Sequence, residues 1–333
     1  MPPPPVAPSL TVLGEARVLR ATEPTFLLHP VQRVLAVYGY DGIGTRVDYR
    51  KDIDWQVDGS RILRTARSTI PDFADYGYIA TDGARFEFSA DPRNPGLTIN
   101  YVVYVDYLSR VADRTVTSRN PQKLYRRISC LGDSIAVGAH TVSRHYRDVD
   151  TDSWCGLLRT HVGERGVVTN RSVPGGVLQP VWADLDAYIA DQPDAVILAF
   201  GMNDHIAGRA ALPGFSTMLD EVVARLQSRS VDVILVGFFQ QNALWLQEDP
   251  AMTLAYNDAI RAVASARSVP FVDVYDAFAR VSGGSDPYYH LTADFMHHPN
   301  NYGQRIYFAL LVPYFLQRDT MASAIPGYVA YEW

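Results

Sequence analysis

The chain of 333 residues contains 47% hydrophobic and 20% charged residues, a mixture typical of globular proteins and not of disordered or fibrous ones. This length is enough for two domains or for one large domain. The net charge is −6, from 30 Lys and Arg against 36 Asp and Glu, and no local cluster of basic residues offsets it, which disfavours nucleic acid as a partner. Because no run of eighteen apolar residues occurs, no membrane span is predicted.

The ends and the cysteines of the chain add three expectations. Residues 1–8 are rich in proline and are predicted to be disordered. They lack the basic region and apolar run of a secretion signal, which favours a cytoplasmic location, although a chain from which a signal had been removed would look the same and be secreted or periplasmic. With only Cys130 and Cys155, neither a disulfide framework nor a thiolate metal cluster is expected, and both are predicted to be small buried apolar residues.

Residues 9–120 have the pattern of short β-strands separated by turns. In the segment 97–107, apolar residues alternate with other residues at a period of two. Shorter strands are predicted at 34–40, 61–64, 76–80 and 85–89. Asp-Gly pairs mark turns between them. Strands at this spacing predict an all-β sandwich or jelly-roll domain.

After residue 120 the pattern becomes strand, loop and helix in repetition. Buried parallel strands are predicted at 128–131, 167–169, 195–200, 231–239 and 270–274, and helices lie between them, such as 215–229 and 254–267. This alternation predicts a doubly wound, mainly parallel α/β sheet over residues 121–318. The tail 319–333 is expected to pack back onto the β-rich part. Ligands bind outside the carboxyl ends of such strands, so the loops after these runs are the candidate sites.

Two of these loops place small or hydroxyl-bearing residues after a strand. Ser134 follows the predicted strand 128–131, where a tight turn would present its hydroxyl to the cleft and its backbone N–H at a helix start. An ordinary turn with an N-cap serine explains the same residues. In the loop 170–176, Gly175 lacks a Cβ, so a substrate oxygen can approach its backbone N–H. A simple chain reversal is the alternative for this loop.

A third loop, 201–204, contains Asn203 directly after the predicted strand 195–200. A side-chain amide can donate a hydrogen bond to an oxyanion that develops during a reaction, whereas aspartate cannot. Capping of the next helix is an equally good explanation of Asn203.

The fourth loop precedes a helical pattern at 302–316 and contains Asp294, His297 and His298. A carboxylate three residues from a histidine can hold one ring nitrogen while the other nitrogen faces a serine. A polar helix cap is the alternative. The same side chains offer metal-ligand atoms, but adjacent histidines usually diverge and no second cluster has ligand-like spacing, so no metal is predicted.

These four blocks together resemble the SGNH hydrolase superfamily, also called GDSL esterases. The matches are Gly-Asp-Ser at 132–134, Asn-x-x-x-x-Gly at 170–175, Gly-x-Asn-Asp at 201–204 and Asp-x-x-His at 294–297, and the resemblance covers about residues 125–318. The chain departs from the pattern at one point, because members usually have Pro directly after the histidine and here a second histidine intervenes. The spacing from Asp294 favours His297 as the base, and adjacency to Pro299 favours His298. We predict His297.

The resemblance implies transfer of an acyl group to water through an acyl-serine. In this scheme Ser134 is the nucleophile, His297 the base, and Asp294 the residue that orients the imidazole. The oxyanion would be held by the backbone N–H groups of Ser134 and Gly175 and by the Asn203 amide. Neither a metal nor an organic cofactor is required.

The layout of a β-rich domain before such a hydrolase is similar to that of some carbohydrate O-acetylesterases. The sequence therefore predicts O-deacetylation of a carbohydrate, with an acetylated saccharide as the partner. One alternative is an esterase or thioesterase for lipids or small acyl groups. A second is a glycan-binding protein with a degenerate hydrolase domain, which the intact Ser134, Asp294 and His297 disfavour.

Overall fold

Antiparallel sheets form the first part of the molecule and a parallel sheet forms the second. The computed structural model describes residues 9–76, 85, 97–282 and 287–329. The predicted disorder of residues 1–8, most of the predicted strands 76–80 and 85–89, and the last four residues of the tail lie outside these ranges.

Among the described residues, two antiparallel sheets lie wholly within the first part. A four-stranded sheet has the order β1-β7-β3-β4, from β1 (Ser9–Val18), β3 (Val31–Tyr40), β4 (Arg46–Asp48) and β7 (Val102–Ala112). A three-stranded sheet has the order β2-β6-β5, from β2 (Thr25–Phe26), β5 (Trp55–Asp58) and β6 (Arg61–Arg64). The prediction of an all-β region is confirmed, while a jelly-roll topology stays a prediction.

The strand predicted at 97–107 begins five residues later than expected. Thr98–Asn100 form a 3-10 turn, and β7 occupies Val102–Ala112. The cause is a long-range hydrogen bond, because the Ile99 N–H donates to the Ala293 carbonyl at 3.2 Å. This bond holds the segment against a loop of the parallel-sheet part, so tertiary contact overcomes the local period of two.

The parallel sheet has five strands in the order β10-β9-β11-β12-β13. Its strands are β9 (Arg127–Gly132), β10 (Val167–Asn170), β11 (Ala195–Ala199), β12 (Asp232–Val236) and β13 (Phe271–Val272). All four pairings are parallel, and helices lie along the sheet, so the predicted doubly wound α/β fold is confirmed. The strand order reverses between β9 and β11, and the crevice at such a switch point is where ligands bind in open α/β sheets.

Ten helices occur among the described residues, and most connect the strands of the parallel sheet. They are α1 (Ser134–Val137), α2 (Val142–Arg147), α3 (Trp154–Val162), α4 (Leu178–Ala183), α5 (Leu185–Tyr188), α6 (Leu212–Gln227), α7 (Pro250–Arg267), α8 (Val274–Val281), α9 (Pro287–Leu291) and α10 (Asn301–Leu311). No helix in the described ranges is both long and apolar enough to cross a membrane. Cys130 and Cys155 are free and fully buried, with their sulfur atoms 2.8 Å apart, which confirms the predicted burial.

One hydrophobic core runs through both parts of the molecule. β1 packs against α9 and α10, and the guanidinium of Arg305 on α10 donates to the Leu13 carbonyl at 2.6 Å. At the other end, β14 (Thr320–Met321) pairs antiparallel with β8 (Thr115–Val116). The described residues of the tail therefore pack onto the β-rich part, as expected. A domain boundary at residue 120 stays a prediction.

Two helical glycines differ in what an added methyl group would meet, and they provide a test of this packing. At Gly156 in α3, a Cβ would lie 2.0 Å from the Asp150 carbonyl oxygen, which is backbone; at Gly214 in α6, nothing lies within 4 Å. We expect Gly156→Ala to lower the free energy of unfolding by about 1–3 kcal/mol through overpacking. Gly214→Ala should raise it by about 0.5–1 kcal/mol, because alanine is the better helix former. Urea denaturation of both variants measures this, and equal effects at the two sites would contradict the described packing of α3.

Candidate active site

The carboxyl end of β9 leads directly into a turn that presents a serine. Asp133 caps α1, since its Oδ1 accepts the Ile135 N–H at 2.8 Å, and Ser134 is the first residue of that helix. Gly132 allows the end of β9 to approach β11, because a Cβ there would lie 2.8 Å from the Ala199 carbonyl oxygen. Ser134 is therefore fixed at the switch point of the sheet.

The loop after β10 closes over this turn. The Asn170 amide donates to the Ala136 carbonyl at 2.8 Å, which ties the end of β10 to α1. Gly176 lies against the serine turn, where a Cβ would be 2.8 Å from the Gly132 carbonyl oxygen. Its neighbour Gly175 has a left-handed φ of +72°, and a Cβ added there would meet nothing within 4 Å. The role of the Gly175 backbone N–H in holding an oxyanion stays a prediction.

Asn203, in the loop after β11, uses its amide to bind the loop after β10. Its Nδ2 donates one hydrogen bond to the Gly176 carbonyl at 3.0 Å. The adjacent Asp204 accepts the Leu178 N–H and the Gly201 N–H, both at 3.0 Å. A side-chain amide carries two N–H groups, and the second N–H of Asn203 has no partner among the described residues. The amide is therefore oriented by protein and still able to donate to a ligand.

The buried carboxylate of Asp294 organises the histidine loop. Its Oδ1 accepts the backbone N–H groups of Met296, His297 and His298 at 2.9, 3.0 and 3.2 Å. Its Oδ2 lies 2.5 Å from Nδ1 of His298. Burial alone would raise the pKa of Asp294, but the charge of His298 and its hydrogen bond outweigh burial and hold that pKa well below its usual range. Asp294 is therefore an anion at neutral pH.

His298, and not His297, joins this carboxylate to the serine. The Nε2 atom of His298 lies 3.0 Å from Oγ of Ser134, while its Nδ1 faces Asp294. The prediction that His297 makes these contacts is wrong. The reason lies in the turn, where Phe295 has a left-handed φ of +62°, so that the fourth and not the third residue after Asp294 faces Ser134.

His297 instead packs as a flat ring between two others. Its ring is stacked on Trp245 at a centroid distance of 4.7 Å and lies 4.0 Å from the ring of His298. Its Nδ1 is buried and has no hydrogen-bond partner among the described residues. Burial, with the nearby charge of His298, lowers the pKa of His297 to about 3. His297 is therefore neutral, and its ring packs beside that of His298.

Two histidines near the site, His140 and His205, belong to none of the four sequence motifs. His140 has a left-handed φ of +62° and sets the edge of its ring 4.7 Å from the ring of His298. Burial lowers the pKa of His140 to about 4. His205 is buried below the Asn203 loop, where its ring bonds the Met202 carbonyl and lies 3.1 Å from Glu248. The sequence does not predict these contacts. His140 and His298, and His205 and Glu248, are far apart in the chain, and the contact of His205 with Met202 lies in an irregular loop.

The ligand atoms of His140, Asp294 and His298 lie within 4.8 Å of one another, which is the one grouping among the described residues that has metal-ligand chemistry. In the observed arrangement, however, Asp294 and His298 are bonded to each other and His298 faces Ser134. This arrangement suits proton transfer from a serine hydroxyl to an imidazole beside a carboxylate.

Comparison with known proteins supports the sequence resemblance. A model of the GDSL-like lipase/acylhydrolase family matches residues 130–306. No match was found among curated proteins. Among solved structures, the chain is similar to LAE5, an α/β hydrolase enzyme from the metagenome of Lake Arreo in Spain, with a TM-score of 0.47 and 21% identity, over 57% of this chain and 94% of that one.

Two further solved structures show the same degree of similarity. A catalytic mutant of Axe2, an acetylxylan esterase from Geobacillus stearothermophilus, has a TM-score of 0.46 and 19% identity, over 57% of this chain and 94% of that one. The lipase/acylhydrolase from Enterococcus faecalis has a TM-score of 0.47 and 21% identity, over 56% of this chain and 93% of that one.

The buried Asp133 beside the serine gives the site a pH-dependent stability. Burial raises the pKa of Asp133 to about 7, so the folded chain keeps this proton up to that pH, whereas an unfolded aspartate loses it near pH 4. Between pH 4 and 7 the folded state therefore binds more protons, and stability from this group falls as pH rises. We expect Asp133→Asn, which keeps an oxygen for the Ile135 N–H, to gain stability relative to the parent chain by up to about 1.4 kcal/mol per pH unit over this range.

A carboxylate with the opposite shift is the control for this experiment. Hydrogen bonds from Ala21 and Ala74 and the charge of Arg64 outweigh burial at Asp72 and lower its pKa. Asp72→Asn should therefore lose stability relative to the parent chain as pH rises through the acidic range. Urea denaturation at several pH values measures both variants, and a difference for Asp133→Asn that does not change with pH would show that Asp133 is ionised in the folded chain.

Proposed function

This chain belongs to the GDSL-like lipase/acylhydrolase family and is an ester hydrolase, and we propose that Ser134, His298 and Asp294 are its nucleophile, base and orienting carboxylate. The observation that carries the assignment is the continuous contact from Ser134 Oγ through both nitrogens of His298 to the Asp294 carboxylate. The sequence alone had favoured His297 for the base. The assignment of Ser134 and Asp294 is unchanged.

The geometry supports the first proton transfer in one tautomer. Asp294 is anionic, so Nδ1 of His298 carries the proton and donates a hydrogen bond to Oδ2, and Nε2 is left as an acceptor for the Ser134 hydroxyl. When Ser134 attacks an ester carbonyl, His298 takes the hydroxyl proton and becomes an imidazolium that Asp294 stabilises. The three backbone N–H groups on Oδ1 keep Asp294 from accepting that proton.

The second half of the reaction uses the same groups. The imidazolium of His298 protonates the leaving alkoxide, which releases the alcohol and leaves an acyl group on Ser134. His298 then accepts a proton from water while the water oxygen attacks the acyl carbonyl. The imidazolium returns this proton to Ser134 Oγ as the bond between Oγ and the acyl group breaks, which releases the acid and restores the serine. The oxyanion formed in both steps would accept from the backbone N–H groups of Ser134 and Gly175 and from the free N–H of Asn203.

The alternative base provides the first test. We expect His298→Ala to lower kcat/KM for an aryl acetate by at least about 10⁴, because no other described group is bonded to the Ser134 hydroxyl. His297→Ala should stay within about tenfold of the parent chain, since its side chain bonds neither Ser134 nor Asp294. Thermal unfolding of both variants verifies that they fold. A greater loss in His297→Ala than in His298→Ala would overturn this assignment of the base.

We further propose that the ester is an O-acetyl group on a carbohydrate. One feature of the site supports a short acyl group. The rings of His140 and His297 flank the ring of His298, with centroids 4.7 and 4.0 Å from it, and leave less space for a long acyl chain beside the serine.

This proposal is tested by release of acid from two sets of esters. Acetylated xylan, mannan and chitin oligomers serve as carbohydrate substrates, and p-nitrophenyl esters from acetate to dodecanoate report the acyl length. We expect acetate release from at least one carbohydrate and a steady fall in kcat/KM as the acyl chain lengthens. Ser134→Ala should abolish both activities. Preference for long acyl chains would favour a lipid esterase, and hydrolysis of aryl acetate without release from any carbohydrate would contradict the carbohydrate substrate.

A further inference from the structure

A cleft of about 580 Å³ lies between the β-rich part and the helices of the parallel-sheet part. One wall is formed by the end of β1, by β2 and by the turn between them. The other wall is formed by the end of α8 and by α9. Ser134, Asp294 and His298 do not line it. We propose that this cleft binds a saccharide segment of the substrate, as a second site apart from the serine. The inference rests on the proposed carbohydrate substrate.

Aromatic side chains line the cleft from both walls. Phe26, on the short strand β2, is 67% exposed, which is high for an aromatic residue. Tyr289 of α9 lies on the other wall, where the Arg20 guanidinium packs over its ring, 5.1 Å from the centroid. The flat faces of sugar rings carry C–H groups that pack on aromatic rings, so the exposed ring of Phe26 suits a pyranose unit. The volume is within the range of small-ligand sites.

The polar side chains of the cleft include hydrogen-bond donors and an acceptor that are free to bind a ligand. His290 accepts the Val18 N–H on its Nδ1 at 3.4 Å, so its Nε2 carries a proton and has no acceptor among the described residues. Burial keeps the ring neutral, with a pKa lowered to about 3. Arg20 has no carboxylate partner among the described residues, and Glu23 has no cationic one. Arg20 and His290 can donate, and Glu23 can accept.

This mixture distinguishes a saccharide from other ligand classes. Sugar hydroxyls both donate and accept, so they can satisfy Arg20, His290 and Glu23 together. A phosphate group could pair with Arg20 but would leave Glu23 repelled and without a donor, and an aliphatic chain would remove water from Arg20 and Glu23 without replacing its hydrogen bonds. A neutral ligand with hydroxyl groups and apolar faces fits these residues best.

The cleft is connected to the reacting residues through one short segment of chain. His290 lies at the cleft on α9, and Asp294 follows four residues later. The His290 carbonyl accepts from the Asn300 side chain at 2.7 Å, which closes the loop that contains Asp294 and His298. A polymer bound in the cleft is therefore held close to the loop that contains Asp294 and His298. Acetyl groups elsewhere on the same polymer are then kept at a raised local concentration near Ser134.

Direct binding tests the cleft independently of hydrolysis. The protein is the full chain with Ser134→Ala, and the probes are unacetylated hexamers of xylose, glucose and mannose, measured by isothermal titration calorimetry. We expect at least one hexamer to bind and Phe26→Ala to weaken that binding by about tenfold or more, because it removes the exposed ring face. Arg20→Gln should weaken it as well. The matched control is Ile43→Ala, since Ile43 is 79% exposed on a turn of the β-rich part and does not line the cleft.

Kinetics with intact Ser134 separate this inference from the proposed function. Phe26→Ala should raise KM for an acetylated polymer several-fold while leaving kcat/KM for aryl acetate unchanged. If no hexamer binds, or if Phe26→Ala and Arg20→Gln bind the hexamers as the parent chain does, the cleft is not a saccharide site. If hexamers bind but no acetylated carbohydrate releases acetate, the cleft stands and the proposed substrate fails.

Discussion

The carboxylate of Asp294 is the constraint on which the loop 294–298 depends. A buried charge is costly unless hydrogen bonds and an opposite charge compensate it, and Asp294 is completely buried. One oxygen meets this requirement by accepting three successive backbone N–H groups, which forces the chain after Asp294 into a tight turn. The other oxygen is left for His298. The solvation of one anion thus determines both the course of the loop and the orientation of the imidazole toward Ser134.

The same turn explains why the sequence pattern does not predict which histidine contacts Ser134, although it places Ser134 and Asn203 at strand ends. Ser134 and Asn203 follow predictable strands at the switch point of a parallel sheet, so strand patterns were sufficient to locate them. The histidine depends on the backbone of Phe295, whose left-handed φ is unfavourable for a bulky residue and has no signature in the sequence. The prediction of a histidine three residues after Asp294 is based on an ordinary turn. In the observed turn, the histidine bonded to Asp294 is four residues later.

Similar reasons apply to the fold. The buried parallel strands could be predicted because each forms a short apolar run bounded by turn residues, and their observed bounds agree with the runs to within a few residues. The 3-10 turn at Thr98–Asn100 could not be predicted, because it depends on a bond between Ile99 and Ala293, which are far apart in the chain. The contact of His205 with Glu248 is likewise tertiary. The hydrophobic pattern of the sequence therefore predicts the secondary-structure elements, whereas the geometry of the site depends on tertiary contacts.

The β-rich part contacts the loop 294–298 directly. Rings of Phe73 and Tyr76 lie 6.5 and 5.4 Å from the ring of Phe295, the residue with the left-handed backbone. Ile99 donates to Ala293, immediately before Asp294. A strained backbone persists only where surrounding contacts hold it, and at Phe295 many of those contacts come from the first hundred residues. The position of His298 opposite Ser134 therefore depends on both parts of the chain, which share a hydrophobic core.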